Sequence, residues 1–315
     1  MTGNSDNALV LFPGALGDGC CFLPALAALR RKHAGRMCLV AHPGFLDLVT
    51  LADATKVSMA RQAVADLFAT GTRVAAETTA LFGGFDHVYS WTGFGNPDFA
   101  RRLEQVSGGA VQVHRFRGMR AAEHAAEYYA RCVGLQPLPV DPGIVGDAPD
   151  WFADFAARHG LRARRFLLMH PGSGSRAKNW EGFAAVAQCW RRRHRDAVVV
   201  LLGPAETERA TPPIDAAIMA DGLSLTQVAA LLRRCRLYIG NDSGISHLAG
   251  IVGARGVVVF GATDPAVWAP RSLRLQVLHA PDACLRCGAE RFCTHRLGTA
   301  PVLAALEHVA ASVEA

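Results

Sequence analysis

Apolar residues in this chain fall in short unbroken runs rather than in alternation. Ala8–Phe12 reads ALVLF and Met37–His42 reads MCLVAH. Further strand candidates lie at Asp86–Ser90, Val111–His114, Arg165–His170, Ala197–Gly203, Leu237–Gly240, Gly256–Gly261 and Leu275–His279, those from Ala197 to Gly261 again as unbroken apolar runs. Such runs predict strands buried on both faces, as in a parallel sheet covered by helices. Helical patterning fills the intervals: from the first glycine turn through Arg31, then Ala121–Val133, Trp180–His194, Thr226–Arg234 and Gly244–Val252. Ser224 followed by Gln227 predicts a capping box at the start of one of these helices.

Strand alternating with helix predicts an α/β chain of doubly wound sheets. Gly134–Pro149 concentrates proline and glycine without any period and reads as a linker. The expected division is a domain over 1–145 and a second over 146–315, with the last helix offered as packing back on the first. Two such domains would face each other across a cleft at the carboxyl ends of their strands, where folds of this kind bind ligands.

A chain of 315 residues suits two domains of about 150 residues each. Half the residues are hydrophobic and 19% are charged, which excludes a disordered protein. No apolar run approaches the roughly 20 residues of a membrane span, and no charged leader precedes a cleavable apolar stretch, so a cytoplasmic location is expected. The net charge of +6 suits nucleotides, phosphorylated glycolipids or an acidic membrane face, with solvated helix ends as the plainer alternative. Nucleic acid is excluded as a partner class, because the basic residues are scattered and no recognition motif accompanies them.

Four turns follow strands and precede helices. In Pro13–Gly19, PGALGDG, the glycines permit close approach of another molecule, and Asp18 is either a helix cap or a general base facing the cleft. In His170–Trp180, HPGSGSRAKNW, Ser173, Gly174 and a forthcoming helix N-terminus offer donors to an anion, and Lys178 adds a charge. Gly172, Gly174 and Ala177 also fit a loose dinucleotide fingerprint, which keeps a nicotinamide reading open. The third turn carries Glu206 and Glu208, placed to accept from ribose hydroxyls or simply solvated. The fourth, NDSGISH, has Asp242 and Ser243 as caps, the N–H groups of Gly244, Ile245 and Ser246 as an anion site, and His247 in the first helical turn. A serine hydrolase is excluded here, since a nucleophile elbow around Ser243 needs glycines where Asn241 and Ile245 stand.

These four turns together resemble glycosyltransferase family 9, the heptosyltransferases of lipopolysaccharide core assembly. The opening VLFPGALGDGCCFLPALAALRRKH is similar to that family's first strand, turn and helix, and LMHPGSGSRAKNWEGF to its phosphate turn. IGNDSGISHLAGIVGARGVVVFGATDPAVWAP resembles its most diagnostic block. The resemblance implies a GT-B fold of two Rossmann-like domains. It implies an inverting transfer of a heptose-like sugar from a nucleotide-diphosphate sugar, ADP-linked by preference, to a glycolipid or glycan hydroxyl, with no cofactor required for the chemistry. A nucleotide-sugar epimerase on the same scaffold is the alternative.

By the same resemblance Asp18 is the base, Lys178 binds the donor diphosphate and Glu206 holds the nucleoside. Asp242 to His247 engage the donor's phosphates and sugar, and a glycolipid acceptor implies peripheral attachment to the inner membrane face. The chain departs from the family in having Phe12 where an arginine is frequent, and in Asn179. Near the C-terminus, CLRCGAERFCTH presents Cys284, Cys287, Cys293 and His295, a candidate structural zinc or iron site of a kind that recurs in this family.

Overall fold

The computed structural model describes residues 6–51, 54–69, 73–203, 214–280 and 293–314. It divides into two units, Met1–Val140 and Asp141–Ala315.

The first unit runs β1 (Ala8–Phe12), α1 (Leu16–Lys32), β2 (Met37–Ala41), α2 (Pro43–Leu48), β3 (Ala54–Ser58), α3 (Gln62–Ala65), α4 (Ala76–Phe82), β4 (His87–Ser90), α5 (Pro97–Ser107), β5 (Ala110–Val113) and α6 (Ala125–Cys132). Its sheet has the order β3-β2-β1-β4-β5, with every pair parallel. All five residues of β1 and of β2 are buried, which is why both read as unbroken apolar runs. Removing a Val or Leu side chain from water here is worth about 1.5–3 kcal/mol, so the central strands anchor the unit.

The second unit runs α7 (Pro149–His159), β6 (Phe166–His170), α8 (Phe183–His194), β7 (Ala197–Leu201), β8 (Ile218–Ala220), α9 (Leu225–Arg234), β9 (Leu237–Asn241), α10 (Gly244–Ile251), β10 (Gly256–Phe260), α11 (Pro265–Trp268), β11 (Leu275–His279) and α12 (Thr299–Glu314). Its six strands are ordered β11-β10-β9-β6-β7-β8, again all parallel. Both units are doubly wound, as the strand and helix alternation predicts. Helix α12 lays Val302, Ala305, Leu306 and Ala310 into the core of this second sheet beside Val257 and Val259.

Each sheet reverses its winding once. In the first, the chain moves from β1 outward through β2 to β3, then returns to β4 on the other side of β1. In the second, it moves from β6 to β8 and returns to β9. The carboxyl ends of β1 and β4, and of β6 and β9, are therefore the switch points at which open α/β sheets leave a crevice.

The expected linker is partly structured. Arg233, near the end of α9, donates to the carbonyls of Pro142, Val145 and Gly146, and so fastens residues 142–146 to the second unit. The capping box forms as expected: Ser224 Oγ accepts from the Gln227 N–H while Gln227 Oε1 accepts from the Ser224 N–H. Helix α6 starts at Ala125 rather than Ala121, because the His124 ring caps the Ala126 N–H. Among the described residues no helix is long and apolar enough to cross a membrane.

Candidate active site

In the first unit the switch point is filled by the turn after β1. Helix α1 begins with Ala15 as its N-cap, and no side chain caps it there, so Asp18 is not the cap. Its buried carboxylate instead faces Arg117, whose Nη2 lies 3.2 and 3.0 Å from the two oxygens. Arg117 follows β5, and its side chain is 59% exposed, so water screens the pair and its main effect is to orient the carboxylate. The guanidinium also lies 5.3 Å from the centre of the Phe116 ring.

The floor of this turn is aromatic. Phe12 stacks on Phe22 at 4.1 Å and meets Trp91, Phe116 and Tyr129 edge-on. Gly14 is required by contact: a Cβ there would lie 2.4 Å from the Phe12 ring and 2.6 Å from Asp18 Cβ. Burial, and secondarily the charge of Asp18, raise the Tyr129 phenol far above its ordinary pKa, so it stays protonated. Its buried hydroxyl finds no hydrogen-bond partner among the described residues.

In the second unit, the turns after β6 and β9 meet at the switch point. Lys178 Nζ donates to Asp242 Oδ2 at 2.7 Å, and Thr263 Oγ1 bonds the same oxygen. Asp242 is buried and Lys178 partly exposed, so the carboxylate holds the ammonium at the mouth of the turn. An ammonium has three N–H donors, and Asp242 takes one. Ser243, next to Asp242, caps α10: its Oγ accepts from the Ser246 N–H, which satisfies one of the helix's first donors. Gly244 and Ile245 occupy the first turn of α10, where backbone N–H groups lack preceding helical carbonyls. His247 is buried in that turn.

His170, the last residue of β6, sits beneath this array. Its Nδ1 is 3.2 Å from Ser243 Oγ, and burial brings its pKa down to about 4, so the ring is neutral at ordinary pH.

The turn after β6 is itself internally bonded. Ser173 is buried, with Oγ 2.6 Å from both the Ser175 carbonyl and Asn179 Oδ1, which makes it a scaffold for the turn. Gly174 is exposed, with no atom within 4 Å of where a Cβ would stand. The expected helix N-terminus directly after this turn is displaced. A 3-10 turn at Arg176–Lys178 intervenes, and α8 begins only at Phe183. The cause is Trp180, whose backbone N–H goes to Asn241 Oδ1 and whose indole N–H goes to the Leu297 carbonyl. The helix donors at this site therefore come from α10, together with the Lys178 ammonium.

Four contributors have no role of their own in the motif reading: Arg117, which lies outside every motif, and His170, Asn241 and Thr263, which lie within them. Asn241 is fully buried and ties the turns together, donating to the Pro171 carbonyl at 2.6 Å while accepting from Trp180. The polar residue ending an otherwise apolar strand was the readable signal for His170 and Asn241. Arg117 and Thr263 reach their partners across 99 and 21 residues, and local pattern does not mark them. Glu206, Cys284 and Cys287 lie outside the described residues. Of their companions, Cys293 is buried and His295 exposed.

Comparison with known proteins gives this geometry its relatives. Residues 143–293 match the model of Glycosyltransferase family 9 (heptosyltransferase). Lipopolysaccharide heptosyltransferase 3 of Escherichia coli is 29% identical over 136 residues, 39% of this chain and 39% of that protein. The match thus spans about two fifths of that curated relative. A glycosyl transferase family 9 structure from Veillonella parvula superposes with a TM-score of 0.79 at 22% identity, covering 99% of both chains. E. coli heptosyltransferase WaaC, solved with ADP, gives 0.67 at 18% identity, over 96% of this chain and 99% of that one. These likenesses establish the fold as the GT-B type, two parallel Rossmann-like units. The sequence match to the glycosyltransferase family 9 model thus covers residues 143–293, just under half of the chain, and along the rest of its length the protein shares with these solved structures their fold.

Proposed function

We propose that the protein is an inverting glycosyltransferase that moves a heptose-like sugar from a nucleotide-diphosphate sugar to a hydroxyl of a glycolipid acceptor. The observation that carries this reading is the Lys178–Asp242 pair beside the N-terminus of α10 at the second switch point. It joins a positioned cation to backbone N–H donors, the combination a leaving diphosphate requires. The second unit is the donor side, and Glu206 is assigned to the nucleoside. The first unit is the acceptor side, with Asp18 as general base.

In the reaction, the Asp18 carboxylate takes the acceptor's hydroxyl proton, and the oxygen attacks the anomeric carbon. The bond from that carbon to the diphosphate breaks, and its electron pair leaves with the nucleotide. Lys178 and the first N–H groups of α10 stabilise the charge that develops there. Ser243 and His247 are assigned to the donor's phosphates and sugar. The cysteine group Cys284, Cys287 and Cys293 with His295 is assigned a structural metal of the zinc or iron class. A glycolipid acceptor would place the protein at the inner face of a membrane, and the net charge of +6 suits that surface.

An ADP-linked sugar is the first donor to test. Thermal stabilisation by ADP-sugars or UDP-sugars is expected, and stabilisation by NAD(H) alone would sink the reading. Asp18→Asn should lower kcat by at least about 100-fold while leaving nucleotide-dependent stabilisation intact. Lys178→Ala should weaken nucleotide-sugar binding about tenfold or more. Near-normal turnover in Asp18→Asn would reject the assigned base.

A further inference from the structure

We propose that Asp6, His33 and His87 form a site for a divalent cation of the zinc class at the amino-terminal edge of the first sheet. Three elements converge there: the residues leading into β1, the C-cap of α1 and the first residue of β4. One potential ligand atom from each lies within 4.8 Å of the others.

Asp6 Oδ2 is fixed by the Ala34 N–H at 3.2 Å, which leaves Oδ1 facing the two imidazoles. That oxygen is 2.7 Å from His33 Nδ1 and 3.3 Å from His87 Nε2. The two rings lie beside each other, with centroids 4.6 Å apart and planes tilted by 34°. Two imidazole nitrogens and one carboxylate oxygen are a donor set suited to zinc, cobalt or nickel.

The outer contacts also fit. His33 is buried and its other nitrogen, Nε2, lies 2.9 Å from the Tyr89 hydroxyl. A ligating histidine ordinarily donates its second N–H to such a partner, which sets tautomer and ring orientation. Tyr89 OH also receives an N–H from Lys32 Nζ at 3.4 Å, so that cation points at the phenol rather than at the ligand atoms. Asp6 and His87 are about one-third to two-fifths exposed, which gives the ion an entry path and room for a water ligand. The site is separate from the chemistry: Asp18 and His33 lie at opposite ends of α1, roughly 22 Å apart at 1.5 Å per residue.

Bound there, a cation would clasp the chain start, α1 and β4 together and stabilise the first unit by mass action. The test uses the full-length protein with Cys284→Ser, Cys287→Ser and Cys293→Ser, so that the thiols of that group do not compete, titrated with Zn²⁺ and separately with Co²⁺. Zn²⁺ is expected to raise Tm. Co²⁺ is expected to give ligand-field absorption without a thiolate charge-transfer band. His87→Ala should weaken both responses at least tenfold. Because His87 is half-exposed, its loss should leave far-UV circular dichroism unchanged; Asp6→Asn, nearly isosteric, provides a second variant with the same expected loss. Absence of any Zn²⁺-dependent change, or a change that both variants leave intact, would show only a hydrogen-bonded clasp and overturn the proposal.

Discussion

Asp18 and Arg117 illustrate how a residue's role is set by what it touches. A carboxylate in the first turn of a helix would ordinarily cap it or complement its dipole, yet here both oxygens face a guanidinium delivered from beyond β5. Arg117 thereby fixes the direction in which the proposed base presents its lone pairs. Arg117→Gln is expected to lower kcat about tenfold or more with little change in donor KM, since orientation rather than donor binding is lost. Steady-state kinetics with varied donor would check this, and a change confined to donor KM would refute it. His170 supplies a pH-dependent counterpart. Its folded pKa of about 4 lies below the ordinary 6.5, because burial penalises the charged ring. Between those values the unfolded chain binds a proton that the folded chain does not, so stability is full above pH 6.5 and falls as the pH drops towards 4. The loss attributable to His170 reaches about 3 kcal/mol at most. Urea midpoints at pH 7, 5.5 and 4 should show the gap between wild type and His170→Gln narrowing as the pH falls; a pH-independent gap would exclude this origin.

At the scale of elements, the capping box gives a direct test. Ser224→Ala removes the acceptor for the Gln227 N–H at the start of α9 and should cost about 1 kcal/mol, seen as a Tm lower by a few degrees. The same element was legible beforehand because its signal is local: a serine, a glutamine three residues on, and an apolar period. The central strands were legible for a related reason, since β1, β2, β6, β9 and β10 are buried along their whole length and are almost wholly apolar, with a polar residue only at the end of β6 and β9. The edges were not. Strand β3 reads ATKVS, with two of its five residues exposed, and Lys56 turns back to donate to the Leu46 and Val49 carbonyls. Strand β8 is three residues paired on one side with β7. Strand β3 carries no apolar run of its own and β8 is only three residues long, so the pairing of each is decided by the neighbouring strand. Helix α5 did carry local punctuation, Asn96 capping the Phe99 N–H and Gly108 at positive φ, although its polar composition lacks the apolar density of the other helices. The site divides likewise: Asp18, Lys178 and Asp242 lie in turns marked by glycine and polar clusters, whereas Arg117 and Thr263 are recruited through the fold.

For the molecule as a whole, every described residue assigned to the donor half of the proposed reaction lies in the second unit. Lys178, Asp242, Thr263, Ser243 and His170 all belong to Asp141–Ala315, and so do the residues that fasten them, Asn241 and Trp180. Its core is likewise self-contained: Leu167, Met169, Trp190, Ile239, Val257 and Leu306 pack in one cluster that α12 closes. The family match falls over 143–293, inside the same unit. A domain with its own core and short internal connections is expected to fold alone. Residues 141–315 expressed separately should therefore unfold cooperatively and be stabilised by ADP with an apparent Kd within about tenfold of that of the full chain. Lys178→Ala in the fragment should remove most of that stabilisation. Catalysis should vanish in the fragment whatever its affinity, because Asp18 and Arg117 remain with the first unit. A fragment that folds but ignores ADP would mean that nucleotide recognition draws on residues 1–140, and the division of labour between the units would have to be redrawn.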